Sequence, residues 1–223
     1  MNKDWKGNSA SVRSRLAIKA DHTTKGREQD DFYATDPVAL RKLIEGGCSK
    51  WLSEHFRKTQ RHHAPVWECA CGNGNLATML KFSLGGFEVI ATDLKDRGYG
   101  QSGMDFLKMD ADWLYHNTFY TVDTILTNPP YSLANEFILH ALDILPDGGL
   151  YIALMNITYL AGQKRYSEIY SKGSLREVYI FSKRIECWRN NDRETYGKNK
   201  TMVDFAWYVF QKGYKGQPTL YWL

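Results

Sequence analysis

Four consecutive residues, Asn128-Pro129-Pro130-Tyr131, follow directly on the apolar run Val122 to Leu126, where a buried strand ends and a loop begins. Two prolines fix φ and remove two N–H donors, so this loop is stiff and offers acceptors. The Asn128 side-chain oxygen and the Pro129 carbonyl can accept both N–H bonds of an amino group conjugated to a purine ring. Such a nitrogen is a poor nucleophile because its lone pair is delocalised. Two acceptors bend it toward sp³ and aim the lone pair at an electrophile. Tyr131 adds an aromatic face on which a base can stack. Standing alone, the same four residues also read as an ordinary strand-to-helix turn with Ser132 as its cap.

Upstream, Val66-Trp67-Glu68-Cys69-Ala70-Cys71-Gly72-Asn73-Gly74-Asn75-Leu76 reads as a strand ending in an acid, a glycine turn and a helix start. Gly72 and Gly74 permit a tight turn and a ligand approach that a Cβ atom would block. Asp93 lies 25 residues after Glu68, at the end of the next strand, where a carboxylate can accept from both hydroxyls of a ribose. The three features together describe an adenosine site. Gly72-x-Gly74-x-x-Ala77 also fits the loose dinucleotide pattern, and a tight β–α turn without any ligand is a further reading. Glu68 favours S-adenosylmethionine, because an acid four residues before the first glycine suits a cationic aminoacyl end and repels a pyrophosphate.

Elements must hold these residues. Apolar periodicity predicts helices over about 37–45, 49–60, 75–84, 132–145 and 161–171, with strands over about 64–68, 88–92, 122–127, 149–155, 176–182 and 202–210. Helix 132–145 is the plainest, with Leu133, Phe137, Ile138, Ala141, Leu142 and Leu145 on one face and Gly148-Gly149 after its end. The runs Val122 to Leu126 and Leu150 to Met155 suit strands covered on both faces. Alternating strands and helices followed by a terminal pair of strands predict an open, doubly wound, mostly parallel α/β fold with ligands at the carboxyl ends of its strands.

The chain's 223 residues, 43% hydrophobic and 24% charged, suffice for one sizeable core. Residues 1–30 hold seven Lys or Arg against four acids and little apolar periodicity, which predicts a basic arm ahead of a single domain over 31–223. No apolar stretch approaches the roughly 20 residues that span a bilayer and the N-terminus has no apolar signal core, so a cytoplasmic protein without membrane contact is expected. The four cysteines, Cys48, Cys69, Cys71 and Cys187, are too irregular for a disulfide scaffold. Cys69-x-Cys71 lacks a partner pair of ligands, so buried small side chains are expected there and no metal. His62 and His63 read as part of a charged helix end.

With these motifs in order, the chain resembles the amino-methylating class I methyltransferases, specifically the DNA adenine-N6 enzymes encoded by prophages and mobile elements. The resemblance runs from about Asp30 to Leu223. It implies a Rossmann-like seven-stranded sheet with an antiparallel last strand, S-adenosylmethionine as cofactor and a flipped-out adenine in DNA as target. Asp31-Phe32-Tyr33-Ala34-Thr35-Asp36-Pro37 is similar to the family segment that closes over the methionine moiety, which implies contacts from Tyr33 and Thr35. Glu68, Cys69, Gly72 and Gly74 fall in its acid–glycine motif, and Asp93 on its ribose acid. Asp105-Phe106-Leu107 resembles the following motif, where Asp105 would approach the cofactor's adenine amino group and Phe106 pack near its ring. Asn128, Pro129, Pro130 and Tyr131 match the catalytic motif, in which Asn128 also borders the cofactor. Many members of the family have a separate target-recognition domain, for which these 223 residues are expected to leave no room. A second departure falls near Arg184-Ile185-Glu186-Cys187-Trp188, where the usual second stacking phenylalanine does not align cleanly and Trp188, equally readable as a core residue, is the candidate.

Net charge is +4, compatible with nucleic acid without requiring it. Between Gln163 and Lys200, ten Lys or Arg face five acids. Lys183, Arg184 and Arg189, with Trp188, Asn190, Asn191 and Tyr196, give the segment 183–200 phosphate and stacking chemistry, or make it simply a solvated loop. RNA methylation on adenine or guanine uses the same residue types. Methylation of a protein glutamine also uses such a motif, in enzymes that usually carry a larger helical N-terminal domain. A noncatalytic regulatory module predicts a broken motif, and this one is intact. Target sequence and oligomeric state have no signature in the chain.

Overall fold

The computed structural model describes residues 33–83, 86–110, 112–113, 116, 121–185, 187–189 and 203–223. The expected basic arm 1–30 and residues 190–200 of the basic segment lie outside the described residues. The described chain begins with β1 (Tyr33–Thr35), α1 (Pro37–Arg41) running into a π-helical turn (Lys42–Gly47), α2 (Lys50–Arg61), β2 (Val66–Glu68), α3 (Asn75–Phe82) and β3 (Val89–Ala91). A 3-10 turn at Phe106–Lys108 precedes β4 (Thr124–Thr127), and another at Tyr131–Leu133 precedes α4 (Ala134–Ile144). Then come β5 (Leu150–Asn156), α5 (Gln163–Glu168) between 3-10 turns at Ile157–Leu160 and Tyr170–Lys172, β6 (Leu175–Ile180), β7 (Cys187–Arg189), β8 (Phe205–Gln211) and β9 (Thr219–Trp222).

Seven strands form one sheet in the order β3-β2-β4-β5-β8-β6-β9. β2 pairs parallel with β3 and β4, and β4 parallel with β5. β8 runs antiparallel between β5 and β6, while β9 lies parallel to β6 at the edge. The sheet is therefore the mostly parallel seven-stranded one expected, with β8 as its antiparallel member and one more strand after it. The chain moves outward from β2 to β3 and then returns to the other side of β2 as β4. That reversal opens a crevice beyond the carboxyl ends of β2 and β4.

Each face of the sheet has its own core. On one, Trp67, Phe106, Phe137, Ile138, Tyr151 and Tyr208 are buried together with the apolar face of α4. On the other, Leu40, Leu43, Leu52, Phe56, Leu76, Leu80 and Trp207 pack against α1, α2 and α3. The buried indoles keep their donors satisfied: Trp67 Nε1 donates to Thr92 Oγ1 at 3.0 Å and Trp207 Nε1 to the Ala39 carbonyl at 3.0 Å.

Two local expectations are corrected. Ser132 does not cap α4, because Tyr131–Leu133 turns first as a 3-10 segment and leaves Leu133 in the N-cap position without a side-chain bond. The basic segment is not all loop, since Cys187–Arg189 forms β7 and pairs antiparallel with β1.

Candidate functional site

Glu68 is the last residue of β2 and is 1% exposed. Its Oε1 accepts from the Thr127 hydroxyl at 2.5 Å and from the Ala70 N–H at 3.3 Å. Its Oε2 is buried with no hydrogen-bond partner. Burial pushes the Glu68 carboxyl up to about 8, with Asp93 adding to the rise and the Thr127 and Ala70 bonds opposing it. A buried acid with one bare oxygen, and no cation beside it among the described residues, can take a cationic group, which fits the ammonium of S-adenosylmethionine. Burial also holds the Cys69 thiol well above its ordinary range and pushes Cys71 up to about 12, with Glu68 and Asp93 contributing to both. Both remain protonated thiols. No metal-binding group of three or more His, Cys, Asp or Glu occurs among the described residues.

The glycine turn follows directly. Gly72 adopts φ 55° and Gly74 φ 85°, the left-handed region in which a Cβ is strained. A Cβ on Gly74 would also meet the Tyr99 ring at 2.3 Å, so Tyr99 lies flat against the turn just before α3. The Lys81 ammonium stands 5.6 Å from the centre of that ring. Asp93 is 8% exposed. Its Oδ2 accepts from the Gly72 N–H at 2.8 Å and its Oδ1 from the Lys95 N–H at 2.8 Å, so Asp93 and the glycine turn hold each other. Leu94, next in sequence, exposes 57% of its surface at the same end of the sheet. Tyr99 and Leu94 were not anticipated; the glycines around Tyr99, Gly98 and Gly100, were the available signal.

Asp105 caps the 3-10 turn Phe106–Lys108 by accepting from the Leu107 N–H at 3.2 Å, and its Oδ2 meets Lys108 Nζ at 2.9 Å. The Phe106 ring is 2% exposed and packs against Trp67, Phe137 and His140, with centroids 5.1, 4.7 and 4.9 Å away. That ring belongs to the core beneath the crevice.

Asn128 is the first residue after β4, on the other side of the crevice from the glycine turn. Its Nδ2 donates to Thr35 Oγ1 at 2.8 Å. The Thr35 carbonyl accepts from Asn75 Nδ2 at 3.1 Å, just beyond the glycine turn. Thr35 is 3% exposed, so both bonds are sheltered from water. Pro129 is buried, and Pro130 (φ −60°, ψ 120°) leads into the turn carrying Tyr131. The Tyr131 ring rests 6.0 Å from Phe205 at the start of β8, tilted by 35°.

The register of β1 on β7 sets Cys187 opposite Thr35, Trp188 opposite Ala34 and Arg189 opposite Tyr33. The backbone of Trp188 is thereby brought beside the strand that holds Asn128. Lys183 and Arg184 are exposed, and Arg184 Nε meets Asp204 Oδ1 at 2.7 Å. On the opposite rim, Tyr159 OH donates to Asn135 Oδ1 at 3.1 Å and ties the segment after β5 to the first turn of α4.

No family model and no curated protein matches the chain. Solved structures do. The DrdV–DNA complex superimposes with a TM-score of 0.58 at 12% identity over 98% of this chain and 31% of that one. The type IIG restriction endonuclease BpuSI gives 0.57 at 14% over 87% of this chain. A putative class I S-adenosylmethionine-dependent methyltransferase from Listeria monocytogenes gives 0.54 at 15%, over 95% of this chain and 72% of that one. The chain spans 27% of the length of BpuSI. Among the described residues no helix is long and apolar enough to cross a membrane. The sheet order, the switch point and these superpositions agree that the chain has the class I methyltransferase fold.

Proposed function

We propose that the protein transfers a methyl group from S-adenosylmethionine to the N6 amino group of adenine in DNA, with the target base turned out of the helix. The observation that carries this reading is the placement of Asn128 at the switch point, joined through Thr35 to the residue after the glycine turn. When bound, S-adenosylmethionine supplies an electrophilic methyl on a sulfonium. Glu68 would hold its ammonium, Asp93 its ribose, and Leu94 offers an apolar platform for its base. Tyr33, Cys69 and Asp105 would complete the cofactor contacts. Asn128 and the Pro129 carbonyl accept from the target amine, and Tyr131, braced by Phe205, supports the base from one side. Trp188 would close on the other face, with Lys183, Arg184 and Arg189 on the phosphates.

DNA is favoured over RNA or protein by the basic segment around β7 and by the fold shared with the DrdV–DNA complex. Methyl transfer from labelled S-adenosylmethionine to unmethylated duplex DNA, ribosomal RNA and glutamine-containing translation-factor peptides, run in parallel, tests it. Incorporation into DNA at N6 of adenine is the expected result; incorporation into RNA or peptide alone refutes it. Asn128→Ala is expected to abolish transfer with cofactor affinity preserved, and a wild-type rate in that variant would remove the assigned role.

A further inference from the structure

We infer that Thr35 is a positioning residue that holds the Asn128 amide in place at the target, an inference that rests on the function proposed above. A planar amide has two arms of similar size and opposite hydrogen-bonding sense. Turning it by half a revolution exchanges them. A hydroxyl can donate or accept and so does not choose between the arms, but an asparagine that must accept from a substrate amine also needs its amide plane held in place, since a displaced amide loses that bond.

Thr35 supplies the restraint. Its hydroxyl oxygen sits 2.8 Å from Asn128 Nδ2, which ties the amide to β1. The hydroxyl is itself held in place. Thr35 is 3% exposed, its carbonyl accepts from Asn75 Nδ2 at 3.1 Å, and its backbone is registered against Cys187 of β7. Thr35 and Asn128 are 93 residues apart in the chain, so the bond is a product of the fold.

This role differs from the direct cofactor contact that the family resemblance implies for Thr35. With its hydroxyl engaged by Asn128 and its surface almost wholly covered, the side chain presents little to a ligand. The two roles separate in measurement. Deleting a group that touches the cofactor raises the cofactor Kd, whereas deleting a positioning bond lowers kcat and leaves Kd alone.

Thr35→Val removes the hydroxyl at nearly constant volume, and Thr35→Ser keeps it. For Thr35→Val we expect a fall in kcat of about ten- to a hundredfold at saturating cofactor and DNA, with S-adenosylmethionine affinity by calorimetry unchanged. Thr35→Ser restores most of the rate. In 15N NMR the Asn128 side-chain NH2 should exchange with solvent slowly in the wild type and in Thr35→Ser, and faster in Thr35→Val. An unchanged kcat, a Kd that rises in step with the fall in kcat, or unaltered protection of the Asn128 NH2 each overturns the inference. A wild-type protein that binds no S-adenosylmethionine overturns the functional reading and this role with it, and the NMR measurement tells that failure from a wrong assignment of the bond.

Discussion

Glu68 can be neutral only because water is excluded from it. Its carboxyl titrates near 8 in the folded chain against 4.5 when unperturbed, so at pH 7 it is largely protonated. An ammonium arriving beside Oε2 favours the ionised form, and the proton leaves. Cofactor binding should therefore release close to one proton at pH 7, seen as a dependence of the calorimetric heat on the ionisation enthalpy of the buffer. Affinity should rise with pH toward about 8 and fall beyond it, as the cofactor's own α-ammonium, with a pKa of about 7.7–8.0, loses its proton. Asp93, Cys69, Cys71 and Tyr151 share this neighbourhood, yet the thiols and the phenol are held protonated by burial and do not compete for the change. Glu68→Gln should abolish the proton release and weaken binding by about 1.5–3 kcal/mol, the value of a hydrogen bond to a charged group. Stability follows the same titration. A folded pKa above the unfolded one means that the unfolded chain gives up its proton first, so stability falls as pH rises from about 4.5 to about 8 and is level beyond. In thermal melts Glu68→Gln should flatten that slope. That Glu68 is an acid ending β2 beside the glycine turn was legible from its place four residues before Gly72. Its partner was not, because Thr127 is 59 residues away and only the pairing of β2 with β4 brings the two together.

At the scale of elements, the sequence displayed those with enough residues to show a period. α2, α4, β5, β6 and β8 were readable because their apolar residues repeat over two or more turns or alternations. β1, β7 and β9 hold three or four residues each, too few for any pattern, and their pairings are settled by tertiary contacts. The turn before α3 belongs to a middle case, in which the glycines were evident and their reason was not. Gly74 must have φ 85° and must also admit the Tyr99 ring. Gly74→Ala is expected to cost about 1–3 kcal/mol in denaturant unfolding, from left-handed strain and overlap with that ring. Tyr99→Ala made in the same chain should recover the overlap part alone, and a double-mutant cycle with no coupling between the two positions would contradict the contact.

For the whole molecule, the switch point was predictable from the alternation of strands and helices, and the position of β8 between β5 and β6 was not, because order within a sheet is set by packing between distant segments. The surface proposed for DNA is likewise a property of the folded chain. Lys183→Ala should weaken DNA binding similarly across sequences and reduce the slope of log K against log salt by about 1, read by anisotropy titrations at several ionic strengths. Arg184→Ala should do less, since Asp204 already holds that guanidinium at 2.7 Å.

The pairing of β1 with β7 has a consequence in time. Thr35 is synthesised 93 residues before Asn128, but the strand that registers β1, Cys187–Arg189, comes later still. A ribosome extends the chain at about 5–20 residues per second, so several seconds separate the two partners. Until the later one emerges, the nascent polypeptide carries its glycine turn and its acid without the tie that would arm them. Under the proposed function, the chain thus has no means of modifying a genome before Cys187–Arg189 has been made.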